Sequence, residues 1–188
     1  DATRAADVPN LVYHLDGGYR QTLAGQAIAR ACYESLLHFG RLAKLSCENH
    51  VVTPALDNII ETNILLSGLG FENNATAGAH SINDGLTAVP NGDKTMHGEK
   101  VAFGTLVQLI AQNAPAQLLD EVTQFCLDVG LPVCLEELHI DNSDETLRAV
   151  AAASMHSCWD NMPFDTDEST VFAALKIADR RGRALRRF

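Results

Sequence analysis

The sequence predicts an all-α fold: one helical bundle domain of about seven or eight helices over residues 1–188. Three observations carry this. Apolar residues recur three to five positions apart through most of the chain. Turn and stop signals at Gly17-Gly18, Gly68-x-Gly70, Pro90-Asn91-Gly92-Asp93 and Gly130 separate these segments. No convincing strand alternation, tandem repeat or low-complexity run interrupts them.

Residues 1–20 are the least regular, with turn signals at Pro9 and Gly17-Gly18. From Thr22 to about Lys44, Leu23, Ile28, Ala31, Cys32, Leu36, Phe39 and Leu42 keep a helical period. His50 to Ser67 holds a second helix, with Val52, Leu56, Ile59, Ile60, Ile64 and Leu65 as its stripe. Pro54 suits its first turn, and Gly68 and Gly70 are expected to stop it. Asn73 to Asp84 reads as a short helix of small residues, where Ala75, Ala77, Gly78 and Ala79 allow close backbone approach. Pro90-Asn91-Gly92-Asp93 is a turn. Gly98 to Asn113 is very apolar and is expected at the centre. Pro115 opens the next helix, which stops at Gly130. Ser143-Asp144-Glu145 opens another, running to about Cys158. Asp165-x-x-Glu168 resembles a capping box for the last, which ends near Arg187.

The 188 residues suffice for a real core, and 46% hydrophobic content suits a globular protein. No apolar run approaches the roughly 20 residues that span a bilayer, so membrane insertion is not expected. A net charge of −10 argues against nucleic acid as a partner. Arg180, Arg181, Arg183, Arg186 and Arg187 crowd the last nine residues, leaving 9 basic and 24 acidic groups, a net of −15, before them. Such a tail complements a helix dipole or docks an acidic partner. Cys32, Cys47, Cys126, Cys134 and Cys158 include no Cys-x-x-Cys pair and read as reduced core thiols. That favours a reducing compartment, the cytoplasm, with the mitochondrion as the alternative. The chain opens on Asp1 without an apolar leader, as a processed, excised or partial chain does.

His80 and His97 are the candidate metal ligands. Each sits beside a small residue near an expected helix end, and the start of a helix disfavours imidazolium and so favours the metal-binding form. Seventeen residues separate them, so only tertiary folding can unite them. The alternative is a capping His97 and a buried, hydrogen-bonded His80. Asn83 and Asp84 are placed to orient His80, although Asp84 can equally end its helix before Gly85. His14, His38, His50, His139 and His156 lack such contexts and are expected at the surface or the core edge. The pairs His50/Glu61 and Glu136-Glu137-x-His139 read as charged rim. No Gly-rich phosphate loop follows a strand, and no Gly-x-Ser-x-Gly elbow occurs.

Longer motifs carry a resemblance. Ala24-Gly25-x-Ala27-Ile28-Ala29, His50-Val51-Val52-Thr53-Pro54-Ala55-Leu56, Leu66-Ser67-Gly68-Leu69-Gly70-Phe71-Glu72, Ala79-His80, Gly85-Leu86-Thr87 and His97-Gly98-Glu99-Lys100-Val101-Ala102-Phe103-Gly104 together resemble the C-terminal helical domain of glycerol dehydrogenases. These form part of the iron- or zinc-dependent (group III) alcohol dehydrogenase family. The resemblance implies His80 and His97 as metal ligands, with zinc preferred over iron, and Phe71 on the substrate side. It implies oxidation of glycerol or a similar polyol, with NAD as the hydride acceptor. Three positions depart from the family pattern. The third metal ligand, an aspartate in Gly-Asp-Ala-Leu, aligns just upstream of Asp1. The family's second histidine, three after the first, is Asn83. The family's Ser-Gly-Gly run is Asn73-Asn74-Ala75. The expectation is a C-terminal metal and substrate domain with the N-terminal nucleotide-binding domain absent, not active alone. It would then be part of a complete dehydrogenase, the partner of a separate nucleotide-binding chain, or a non-catalytic structural or interaction subunit of a larger assembly. A homo-oligomer or a subunit of a larger complex is expected.

Overall fold

The computed structural model describes residues 22–156 and 158–186, and the backbone of 12–13 and 19–20. The turn expected at Pro9 and Gly17-Gly18, and the residues Asp1, His14 and Arg187, lie outside them. The chain is all-α, with eight α-helices among the described residues. Strand structure there is limited to one antiparallel pair, Val12–Tyr13 with Tyr19–Arg20. The backbone gathers into two compact units, Asp1–Thr76 and Ala77–Phe188.

In the first unit, α1 spans Leu23–Glu48, capped by the Thr22 hydroxyl, which accepts from the Gly25 amide at 3.0 Å. Its buried positions are small: Gly25, Ala29, Ala43 and Ser46. The expected stripe is therefore only partly inside, and Leu23 (84% exposed) and Leu42 face outward. Small residues win the buried face because they let neighbouring backbones come close. α2 spans Pro54–Glu61 behind a Thr53 cap, with Pro54 in its first turn as expected. A π-helical turn, Thr62–Leu66, follows, and α3 runs Ser67–Asn74. Gly68 and Gly70 do not stop the helix as predicted. Gly70 instead faces the Ala29 backbone, where a Cβ would lie 3.7 Å away. The helix ends at Ala75, whose φ of 62° breaks the run. The Asn74 amide nitrogen donates to Gly25 O at 2.7 Å, tying α3 back to α1. Val52, Ile60, Ile64 and Leu65, expected in a buried stripe, are exposed.

In the second unit, α4 spans Gly78–Thr87, α5 His97–Ala111, α6 Ala116–Val129, α7 Asp144–Ser154 and α8 Glu168–Arg186. The helix expected to begin at Asn73 thus starts at Gly78. α5 is central as predicted, with Phe103, Leu106, Val107 and Leu109 buried. It packs on α4 and α8, and α4 and α8 both pack on α7. Ile82, Leu86, Leu147, Val150, Val171 and Leu175 complete the core. Pro115 caps α6, and Gly130 ends it with a left-handed φ of 83°. Ser143 caps α7, which ends at Ser154, four residues short of the expected Cys158; the 3₁₀ turn Cys158–Asn161 comes after it. The cap of α8 is Asp167 rather than Asp165: its carboxylate accepts from the Thr170 amide at 2.7 Å. The arginine tail is largely spent inside this unit. Arg181 pairs with Asp120 at 2.6 Å, Arg183 with Asp179 at 3.0 Å and Arg186 with Glu137 at 2.7 Å.

All five cysteines are free thiols. Cys126 and Cys134 are buried, whereas Cys47 is exposed rather than in the core. Burial pushes the Cys126 thiol up to about 11. A raised pKa keeps the neutral thiol through neutral pH, and the thiolate is the reactive form. Alkylation of the native protein at pH 8, followed by peptide mass mapping, should label Cys47 and spare Cys126. Denatured protein should label both. Tight crossings should be equally sensitive. A Cβ on Gly104 would come within 2.5 Å of the Ala79 carbonyl oxygen. Gly104→Ala should therefore cost about 1–3 kcal/mol of stability in urea unfolding, as overpacking does.

Candidate functional site

The site is built on the crossing of α4 and α5. Gly104 brings α5 onto the α4 backbone at Ala79, the residue before His80. Gly85, further along α4, lets α7 approach in turn, its missing Cβ leaving room for the Val150 carbonyl. Gln108, buried within α5, accepts from the Ala79 amide at 2.8 Å through Oε1. It thereby serves an amide of the first turn of α4, where N–H groups have no i−4 carbonyl within the helix. At the other end Lys100, only 5% exposed, donates through Nζ to Thr87 Oγ1 and to Gly92 O, both at 2.7 Å. The amine thus ties the end of α4 and the Asn91-Gly92 turn to the start of α5. Glu99 accepts from the Met96 amide at 2.8 Å and fixes the turn that presents His97.

This frame brings His80 and His97 together. Their ring centroids lie 5.2 Å apart, with the planes tilted by 52°. Two imidazoles sharing one tetrahedral cation, with metal–nitrogen distances of about 2.0–2.1 Å, have centroids roughly 5 Å apart, so the separation fits shared coordination. His80 is half-buried and His97 exposed at the first position of α5. Desolvation lowers the His80 pKa, against a raising effect from Asp84. Partial desolvation also lowers that of His97, assisted by the positive charges of His80 and Lys100 and opposed by Asp84. Both rings are therefore biased to the neutral, metal-binding form. Asn83, three residues beyond His80, is buried; its amide nitrogen donates to Asp84 Oδ1 at 3.1 Å and its own Oδ1 has no hydrogen-bond partner. Among the described residues, no group of three or more His, Cys, Asp or Glu side chains is arranged to hold a metal ion. The protein groups present are thus two imidazoles with a buried carboxamide oxygen one helical turn away.

Other sequence candidates fall elsewhere. Phe71 lies on α3 in the first unit, 41% exposed. His38, His50, His139 and His156 are exposed, as expected. Glu137 serves the Val133 amide and Arg186, so the acidic pair beside His139 is structural. Lys100 and Gln108 escaped sequence reasoning. The signal available was a charged and an amide side chain inside the most apolar helix, where only satisfied polar groups survive burial.

The fold is that of the group III alcohol dehydrogenases. A solved 1,3-propanediol oxidoreductase superposes with a TM-score of 0.68 at 16% identity, over 95% of this chain and 50% of that one. More specifically, the chain is a homologue of glycerol dehydrogenases over most of its own length. It is 48% identical over 165 residues to a glycerol dehydrogenase of Thermotoga maritima, covering 86% of this chain and 45% of that protein. A probable glycerol dehydrogenase structure from Sinorhizobium meliloti 1021 matches with a TM-score of 0.88 and 36% identity, over 98% of this chain and 52% of that one. The chain therefore spans about half the length of the relatives it matches. No family model matches it.

Gln108 should matter to the site without touching it. Gln108→Leu removes the bond from the Ala79 amide to Gln108 Oε1 and should cost about 1 kcal/mol, the net worth of a buried hydrogen bond. Chemical unfolding measures the loss, and histidine ring NMR shifts should move with it.

Proposed function

We propose that this chain is the metal-carrying helical half of an NAD-linked glycerol dehydrogenase, converting glycerol to dihydroxyacetone and inactive alone. The observation that carries this reading is the convergence of His80 and His97 to 5.2 Å from positions seventeen residues apart. They would hold a divalent cation, zinc ahead of iron, through neutral ring nitrogens. When bound there, the cation would supply Lewis acidity that lowers the pKa of the alcohol.

The chain's own residues would do the holding and orienting. The Lys100 and Gln108 contacts fix the two helices that carry the imidazoles. The Asp84 carboxylate offsets positive charge beside them. The buried Asn83 amide nitrogen donates to Asp84 Oδ1 and orients that carboxylate. Phe71 is read as the substrate-side residue. NAD would supply the hydride acceptor, held by a nucleotide-binding domain outside this sequence, in the part of its relatives that the chain does not span. Exposed Leu42, Leu45, Val51 and Val52 suit a homo-oligomer or a larger complex. Five free thiols accord with a cytoplasmic location.

A second reading is a non-catalytic, dehydrogenase-derived subunit of a larger assembly. It draws on the two-histidine donor set, which has no third acidic or thiol ligand among the described residues. Metal analysis of the purified chain and of His97→Ala separates the two. Stoichiometric zinc or iron in the parent, with affinity at least about tenfold weaker in the variant, supports the enzyme reading, because His97 is one of the two imidazole donors and its loss leaves a single one. Circular dichroism should not change, since His97 is exposed. In a full-length enzyme the same substitution should abolish metal-dependent turnover. Retained metal and turnover in His97→Ala would sink the assignment; a metal-free parent chain would favour the second reading.

A further inference from the structure

The last helix carries a feature that the dehydrogenase reading does not use. Lys176, Arg180 and Arg183 fall at i, i+4 and i+7 of α8, on one face of the helix. They line a half-open cavity of about 450 Å³, together with Asn142, Leu147, Asp179 and Ala184. That volume lies within the range of small-molecule sites. Three cations thus meet one carboxylate, in a chain whose overall charge is −10.

The carboxylate is already spent. Asp179 accepts from the Leu135 amide at 2.9 Å and from the Asn142 amide nitrogen at 3.1 Å, and it pairs with Arg183 Nε at 3.0 Å. Lys176 reaches Asp144 at 2.6 Å, but both side chains are more than half exposed, at 54% and 56%, so this is a weak surface pair. Arg180 differs from its neighbours. Arg181 and Arg186, which do not line the cavity, each have a carboxylate within 2.7 Å. Arg180 is exposed and, among the described residues, has no ion-pair or hydrogen-bond partner.

We propose that this cavity is a binding site for a small organic phosphate monoester, with Arg180 and Arg183 gripping the phosphate and Lys176 adding charge at the rim. Planar guanidinium groups match a phosphate through paired hydrogen bonds. The volume exceeds a bare oxyanion, and exposed Ala184 supplies an apolar surface for the organic part. The site rests on α8 and its neighbours alone, so it stands or falls independently of the metal reading.

Calorimetric titration of the full chain with a three-carbon phosphate monoester and with inorganic phosphate, in about 0.1 M salt to screen diffuse attraction, tests it. Saturable binding of the monoester, tighter than that of inorganic phosphate, is expected. Arg180→Gln should weaken it about tenfold, the loss of one charge-assisted contact. Arg186→Gln removes the same charge outside the cavity and should leave binding unchanged. Absence of saturable binding, or equal weakening in both variants, would overturn the site. Inorganic phosphate binding as tightly as the ester would overturn the ligand class. Self-association of the chain that Arg180→Gln abolishes would reassign the cations to a protein contact and overturn the proposal.

Discussion

Everything in the second unit depends on how closely α4 and α5 cross. Two helices separated by ordinary side chains run with axes about 8–10 Å apart, and a glycine at the crossing removes the spacer. Gly104 opposite the Ala79 carbonyl is that position. Once the backbones touch, Gln108 reaches the first turn of α4 and Lys100 reaches its last. The imidazoles follow, because His80 and His97 are each one residue from an anchored group: the Ala79 amide on one helix, the Met96 amide on the other. Histidine geometry here is a consequence of helix packing, not of contacts between the rings.

Charge in the same unit is arranged with similar economy. An acidic chain concentrates arginine in one helix and directs most of it at carboxylates on neighbouring segments: Asp120 on α6, Glu137 in the turn Leu135–Leu138, and Asp179 within α8 itself. Asp179 joins three segments, since it also receives the Leu135 amide and the Asn142 side chain. These contacts explain why a cluster resembling a docking tail is mostly internal architecture. They also make Arg180, which among the described residues of α8 has no such contact, stand out.

Much of this was legible in the sequence. Pro54, Pro115, Gly130 and Ser143 marked helix boundaries correctly, because each acts through its own local backbone chemistry. The all-α class followed from spacing alone. What failed depended on neighbours distant in sequence. Gly68 and Gly70 looked like stop signals, yet both lie within α3: Gly70 is buried against Ala29 of α1, and Gly68 has open space where a Cβ would stand. Leu23 and Val52 kept a helical period but face outward. Periodicity reports a face, not what covers it. At the site, spacing could not join His80 to His97, and motif resemblance did. Nothing local marked Lys100 or Gln108 as the braces between the two helices.

The π-helical turn Thr62–Leu66 has a consequence for how this lineage tolerates insertions and deletions. It holds one residue more than an α-helical path would need, and the Ser67 amide reaches back to the Thr62 carbonyl across it. Each residue of an α-helix turns the chain by about 100°. Loss of a single residue between Thr62 and Leu66 would leave an unbroken helix but swing all of α3, Gly70 and Phe71 included, about a quarter-turn around its axis. The helix would survive such an indel while its faces would not, so the length of this short stretch is constrained more tightly than its composition.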